Sequence, residues 1–360
     1  MRLHEQPRVT FPVPARTTAP APAEWRGHDR DGVRLLVARE EGLTHARFRD
    51  LPDHLAPGDL LVVNNSATEA RQLDGHLEGR GRVVLHLATP LGAGTWVVEL
   101  RTSPDAARAV LDAGPGDRVS TSRATVRLLA PHPDGPSSPT GDGNRLWRAE
   151  VRGDLVTDLA EAGRPISYGY LDRTYPLEAY QTVFATRPGS AEMPSAARPF
   201  TAGLVTALVS RGVRIAPVTL HTGVSSQEAG EAPGPEWFEV EESTARLVAS
   251  TRAEGGRIVA VGTTATRALE SAVGSDGRPR AARGWTERVV TPADPPVVVD
   301  GLISGWHDPQ ASHLLLVEAV AGPALTQRAY DSAVAGGYLW HEFGDAALFL
   351  PYRPTRRGGS

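Results

Sequence analysis

Apolar residues fall in short runs separated by polar breaks, and the rhythm of the runs divides the chain into parts. VRLLVAR (33–39) and DLLVVNN (59–65) are continuous apolar stretches of strand length. The second ends on Asn64, Asn65 and Ser66, a change from strand to polar site. Between about 70 and 152 the runs become short and alternating: RVVLHLA, TWVVELR, DRVST, ATVRLLA and LWRAEVR, with Gly/Pro-rich turns between them. That spacing predicts a small β-barrel or sandwich, with APHPDGPSSPTGDGN (130–144) as an exposed loop. From 153 onward helices alternate with strands. Helices are expected at LVTDLAEAG, over 201–212 and over about 243–254; strands at VRIAPVTLH (213–221), VVVDGLIS and AALFL; and two more helices across 309–336. RIVAVGTTATRALES (257–271) reads as a buried strand that turns at Gly262 straight into a helix. This alternation predicts an α/β fold with a mostly parallel sheet core and helices on its faces. Residues 1 to about 30, rich in Pro, Ala, Arg and Thr, read as a loose arm.

Composition narrows the chemistry. The 360 residues are 40% hydrophobic and 22% charged, enough for a sizeable core. There is no cysteine, which excludes disulfides, thiolate metal sites and cysteine nucleophiles. All 38 basic residues are arginine, so Schiff-base and phosphate-binding lysines are excluded as well. Proton transfer is left to His, Asp, Glu and Tyr. The formal net charge is −4, and 11 arginines against 9 acidic residues over 70–152 do not amount to a nucleic-acid surface. No run reaches the length of a membrane span, and the first residues lack the apolar core of a signal peptide, so a cytoplasmic protein is expected.

In a parallel sheet, ligands bind at the carboxyl ends of strands. Three groups of residues fall there. His221 closes VRIAPVTLH and is followed by Thr222 and Gly223. His307 follows VVVDGLIS in SGWHDPQ. Thr263, Thr264 and Arg267 open the helix after Gly262. Arg267 puts a cation near a helix start, where the macrodipole is already positive, and an anionic ligand would account for that placement. Glu236 and Glu239 in PEWFEV are either a base with an orienting partner or two solvated carboxylates. Tyr180 and Gln181 either read a planar ligand or pack in the core, and Asp345 opens the last strand as a turn residue. His313 and His341 have no assigned place. No spacing resembles a zinc site, no metal is expected, and neither GxGxxG nor GxSxG occurs.

Taken in order, RDGVRLLV (30–37), RFRDLPDHLAPGDLLVVNN (47–65), AYQTVFATRPGS (179–190), RGVRIAPVTLHTG (211–223), EWFEV (236–240), GGRIVAVGTTATRALES (255–271), GWTE (284–287), VVDGLISGWHDP (298–309) and FGDAALFL (343–350) resemble the S-adenosylmethionine:tRNA ribosyltransferase-isomerase family of queuosine biosynthesis. The resemblance implies an α/β core, residues 1–69 and 153–360, carrying an inserted β-barrel domain over 70–152. It also implies an enzyme that transfers the ribosyl part of S-adenosylmethionine to a deazaguanine amine in the tRNA anticodon. The ribosyl group rearranges to an epoxycyclopentanediol, with release of adenine and methionine. On that footing His221, His307 and Glu236 are the proton-transfer candidates. Thr263, Thr264 and Arg267, with Gly223, Tyr180, Gln181 and Asn64, would hold S-adenosylmethionine.

The sequence departs from the family pattern at several points. Asn65 stands where the family has aspartate, and Ala197, Arg198 and Pro199 stand for a Gly-Leu-His run. Gly234 replaces a histidine, and Gly305 and Trp306 replace asparagine and phenylalanine. These departures and the missing basic excess argue against assuming tRNA as the acceptor. They leave two rivals: a paralogue with a small-molecule acceptor, or acting as a lyase or cyclase, and a non-catalytic S-adenosylmethionine-binding protein.

Overall fold

The computed structural model describes residues 3, 5–13, 17–133, 143–224 and 230–352. Four of the apolar runs form its centre. Arg214–His221, Leu60–Asn64, Ile258–Val261 and Gly301–Gly305 lie side by side in that order, all parallel. Leu60–Asn64 and Ile258–Val261 are buried at every position, which is why they read as unbroken hydrophobic stretches. The nine-stranded sheet is completed by antiparallel pairings on both flanks. Glu236–Val240 and Ala282–Thr286 extend one side. On the other, Ala346–Leu350 runs against Gly301–Gly305, lies parallel to Arg34–Arg39, and the hairpin strand Gly42–Arg47 closes the edge. The sheet is therefore mixed, parallel at its centre, where the four carboxyl ends emerge along one edge.

Helices cover both faces. Glu242–Ala253, Thr263–Ser271, Ser312–Ala321 and Pro323–Ala335 bury one face against Leu36, Val62, Val218 and Leu302. Ala202–Ser210 and the short turns Phe48–Asp53 and Ser195–Ala197 bury the other against Leu61, Val63, Val259 and Ile303. Ala202–Ser210 starts where the Thr201 hydroxyl accepts the Leu204 N–H at 3.1 Å.

The alternating segments close into a six-stranded antiparallel barrel: Gln72–Leu77, Gly81–Gly92, Thr95–Thr102, Arg118–Ser120, Ala124–Pro131 and Leu146–Gly153. Leu73, Leu85, Val98, Val126 and Trp147 fill it. Residues 134–142 of the expected exposed loop lie outside the described residues. The N-terminal segment differs from the loose arm expected of its composition. Val9 N–H donates to Glu318 at 2.7 Å, Phe11 stacks on Tyr330 at 4.6 Å, and Ala19, Ala21 and Ala23 are buried. Small Ala and Pro residues report low hydrophobicity, but they fit the grooves between larger core elements.

Barrel and core are joined by buried charge. Glu99, without solvent contact, receives Arg101 at 2.8 Å, Arg145 at 2.9 Å and His86 at 3.1 Å. Arg145 also reaches Glu231 of the core at 2.7 Å. Burial opposes ionisation of Glu99, but the Arg145 charge, His86 and Arg101 outweigh it and hold the carboxyl well below its ordinary range. Arg145→Met leaves two buried carboxylates without their shared cation and is expected to cost about 3–5 kcal/mol in denaturant unfolding. Because the folded-state value lies below the ordinary 4.5, the Glu99 contribution is complete above that pH and is lost as pH falls. The gap between the variant and the unaltered protein should therefore narrow in acid.

Candidate active site

At the carboxyl edge of the sheet lies a cavity of about 320 Å³. It is bounded by the turn after Ile258–Val261, the segment after Gly301–Gly305, and residues from 192–196 and 341–342. A smaller chamber of about 70 Å³ adjoins it, and Thr222, Thr263, Thr264 and His313 border both.

Asn64, fully buried at the end of its strand, sets the floor. Its amide nitrogen donates to the Leu220 carbonyl at 2.9 Å and to Thr264 Oγ1 at 3.2 Å. Its oxygen accepts the N–H groups of Leu220 and Ser66, each at 3.1 Å. Every donor and both acceptor sites of the amide are spent on the protein, so Asn64 acts on a ligand only through Thr264. Gly262, at φ 93°, makes the turn from strand to helix in a conformation that favours glycine. The helix it starts has no side-chain cap, so its first N–H groups are not taken by one where Gly262, Thr263 and Thr264 line the cavity.

Arg267 and Glu236 face the smaller chamber as a buried ion pair. The guanidinium also donates to the carbonyls of Arg288 at 3.0 Å and Gly234 at 3.2 Å. Glu236 accepts the Gly223 N–H at 3.1 Å. Burial raises the Glu236 carboxyl above its ordinary value, with the Arg267 charge working against that rise. The cation near a helix start is thus answered by a carboxylate from a neighbouring strand.

His307 lies in the larger cavity and stacks on His313, ring centroids 4.9 Å apart at 14°. Its Nε2 is 2.9 Å from Ser304 Oγ, and its backbone N–H donates to the Tyr330 hydroxyl at 3.2 Å. Burial pushes His307 well below the ordinary imidazole value, and His313 and His341 add to the effect. His313 falls to about 4, through burial and the Arg267 charge. Both rings are neutral at physiological pH and available for proton transfer as imidazoles.

The structure does not bring His221 to the same place. Its ring points to the other face of the sheet, where Nδ1 meets Ser66 Oγ at 2.7 Å and the ring stacks on Trp237 at 5.3 Å. The backbone of Gly189, at φ 145°, lies so close that a Cβ there would come within 2.7 Å of the imidazole. His221 reaches the cavity wall only through Ser66, Ser190 and Thr222. Tyr180 packs against Phe343, and the Gln181 amide pairs with the Thr68 backbone at 3.1 and 2.7 Å; neither borders the cavity.

Among the lining residues not singled out from the sequence are Tyr168, Tyr170, Glu192 and Glu342. Tyr168 donates its hydroxyl to Glu192. The Tyr170 ring stacks on His341 at 5.3 Å and 19°. Burial raises the Tyr170 hydroxyl above its ordinary value, and Glu342 lies near enough to add to the rise. The one visible signal was aromatic and acidic residues crowded into YGY (168–170) and WHEF (340–343), segments with no periodic pattern. The departures from the family pattern are dispersed. Gly305 and Trp306 border the cavity and Gly234 the smaller chamber. Ala197 lies in the core, Arg198 pairs with Glu24, and Asn65 accepts from Thr219 at 2.7 Å.

Residues 7–349 match the family described as "Queuosine biosynthesis protein". The S-adenosylmethionine:tRNA ribosyltransferase-isomerase of Gloeobacter violaceus is 36% identical over 353 residues, covering 95% of this chain and 94% of that protein. The enzyme of the same name from Acidiphilium cryptum is 36% identical over 94% of this chain and 97% of its own length. The solved structure of S-adenosylmethionine tRNA ribosyltransferase from Thermotoga maritima superposes with a TM-score of 0.51 at 25% identity, covering 94% of this chain and 99% of that one. The order of the segments, the sheet with its closed barrel and these near full-length matches agree: the chain belongs to the S-adenosylmethionine:tRNA ribosyltransferase-isomerase family of queuosine biosynthesis.

Proposed function

We propose that this protein binds S-adenosylmethionine in the cavity at the carboxyl edge and transfers its ribosyl part to a deazaguanine base of tRNA. The observation that carries the reading is the lining of that cavity. An uncapped helix N-terminus with two threonines stands beside a cluster of neutral histidines and buried carboxyl groups. Its volume, about 320 Å³, falls at the lower end of the range, roughly 300–1,000 Å³, of small-molecule pockets. The N–H groups at Thr263 and Thr264 suit the methionine carboxylate. His307, a neutral imidazole oriented by Ser304, suits removal of the proton beside the sulfonium. His221 is better placed to fix the Ser66–Ser190–Thr222 wall than to touch the substrate.

The acceptor is read from the relatives. Near full-length proteins at 36% identity are named for tRNA, and this outweighs the absence of a basic excess. Many of the arginines are tied into ion pairs, so net charge is a poor guide to how one base of an anticodon loop is received. Incubation with S-adenosylmethionine, with and without tRNA carrying the deazaguanine base, should release adenine and methionine only when that tRNA is present, as followed by mass spectrometry. Turnover without tRNA would support a small-molecule acceptor or a lyase. Binding without turnover would support a sensor.

We place the ligand carboxylate on the helix N-terminus and give Arg267 the task of neutralising Glu236. Arg267→Ala should lower stability by about 3–5 kcal/mol, because it strands a buried carboxylate. Arg267→Met combined with Glu236→Leu should recover most of that loss and keep S-adenosylmethionine affinity within about threefold, by calorimetry. A tenfold or greater loss of affinity in the double variant would put the guanidinium on the ligand instead.

A further inference from the structure

We infer that the Glu342 carboxyl group holds the adenine ring of S-adenosylmethionine and supplies the proton with which adenine leaves; this rests on the reading of the cavity given above. Glu342 lines the cavity, and its Oε2 is buried without a hydrogen-bond partner among the described residues. A buried polar atom left so carries a desolvation cost that a ligand can remove. Beside it, Tyr170 and His341 form a stacked pair of flat rings that also line the cavity. The site therefore offers a planar wall and, beside it, a carboxyl group, one of whose oxygens has no protein partner among the described residues.

The groups facing Glu342 decide its charge. Glu192 and Tyr170 line the same cavity and act on this carboxyl, Glu192 through its charge, and Tyr180 feels the field of Glu342 from the core side. His341 precedes it in the chain, and burial holds that imidazole low against the pull of Asp308. Arg198, which borders the same small recess, is spent on Glu24 and the Ala179 carbonyl. No cation in this set compensates Glu342. Burial, with the Glu192 charge, raises the carboxyl to about 8, while Tyr170 opposes the rise. At neutral pH it is a carboxylic acid, with one O–H donor and one carbonyl acceptor. That pair has the same pattern as the primary amide that reads adenine through N7 and the N6 amino group.

The chemistry then balances. The O–H proton passes from Glu342 to adenine N7 as the C1′–N9 bond breaks, and the electron pair of that bond goes to N9. The ring-oxygen lone pair meets the deficiency at C1′, and neutral adenine leaves as its N7–H tautomer. Glu342 remains as a carboxylate and regains its proton from water before the next turnover. Glu192 is a positioning residue here. It keeps the proton on Glu342 and is itself held by Tyr168.

The test uses the full chain with tRNA carrying the deazaguanine base. Glu342→Gln keeps the amide-like pattern, so S-adenosylmethionine affinity should stay within about threefold, while adenine release falls by about 10²–10⁴-fold. Adenine release by the unaltered protein should decline as pH rises through about 8. Glu192→Gln removes a like charge, so this alkaline limb should move to lower pH, a shift that a merely structural role would not produce. Adenine release at the full rate from Glu342→Gln overturns the inference. So does an alkaline limb that Glu192→Gln leaves in place, and this arm serves if Glu342→Gln does not fold. Failure of the unaltered protein to bind S-adenosylmethionine would overturn the reading of the cavity and this inference with it.

Discussion

One side-chain amide organises the carboxyl edge of this protein. Asn64 exchanges two hydrogen bonds with the backbone of Leu220, closes a local turn through the Ser66 N–H, and donates to Thr264 at the start of the next helix. It thereby fixes the relative height of two adjacent strand ends and aims the helix N-terminus in one fully buried contact. Such an amide is costly to bury unless all its groups are satisfied, and here all of them are. Through Thr264, which lines the cavity, this contact supports the cavity floor.

Charge is handled by the same rule. The chain uses arginine alone as its cation, and at the interior positions each guanidinium meets a carboxylate: Arg145 with Glu99 and Glu231, Arg267 with Glu236, Arg198 with Glu24. Among the described residues Glu342 has no such partner, and that contrast makes its surroundings informative. The barrel contributes to the site through this network. Arg101, fixed by Glu99, lies over the Tyr168 ring at 4.9 Å, and His86 meets the same ring edge-on at 5.6 Å. Tyr168 in turn holds Glu192. A module that looks separate in the sequence therefore braces one wall of the cavity.

The sheet and barrel were legible in the sequence because burial on both faces and alternation leave different patterns. VVNN and VGTT announced strand ends turning into polar ground: the second lines the cavity, and the first supports it through the Asn64–Thr264 contact. What the sequence did not show was direction. His221 closes its strand as expected, yet side chains alternate between faces, and its odd-numbered position sends the ring to the face of Pro217 and Thr219, away from His307. Arg267 was rightly placed near the helix start, but its partner, Glu236, lies 31 residues away in sequence and pairs only through the fold. Tyr170 and Glu342 left only the crowding of aromatic and acidic residues as a signal, for a related reason. They sit in irregular segments whose role depends wholly on what tertiary structure packs around them.

The most direct measurement is a crystal structure of the protein with S-adenosylmethionine bound. The methionine carboxylate is expected on the N–H groups at Thr263 and Thr264, and the adenine ring against Tyr170 and His341 with its N6–N7 edge on Glu342. A ligand seated on the His221–Trp237 face, or with its carboxylate on Arg267 and its adenine away from Glu342, would contradict this placement.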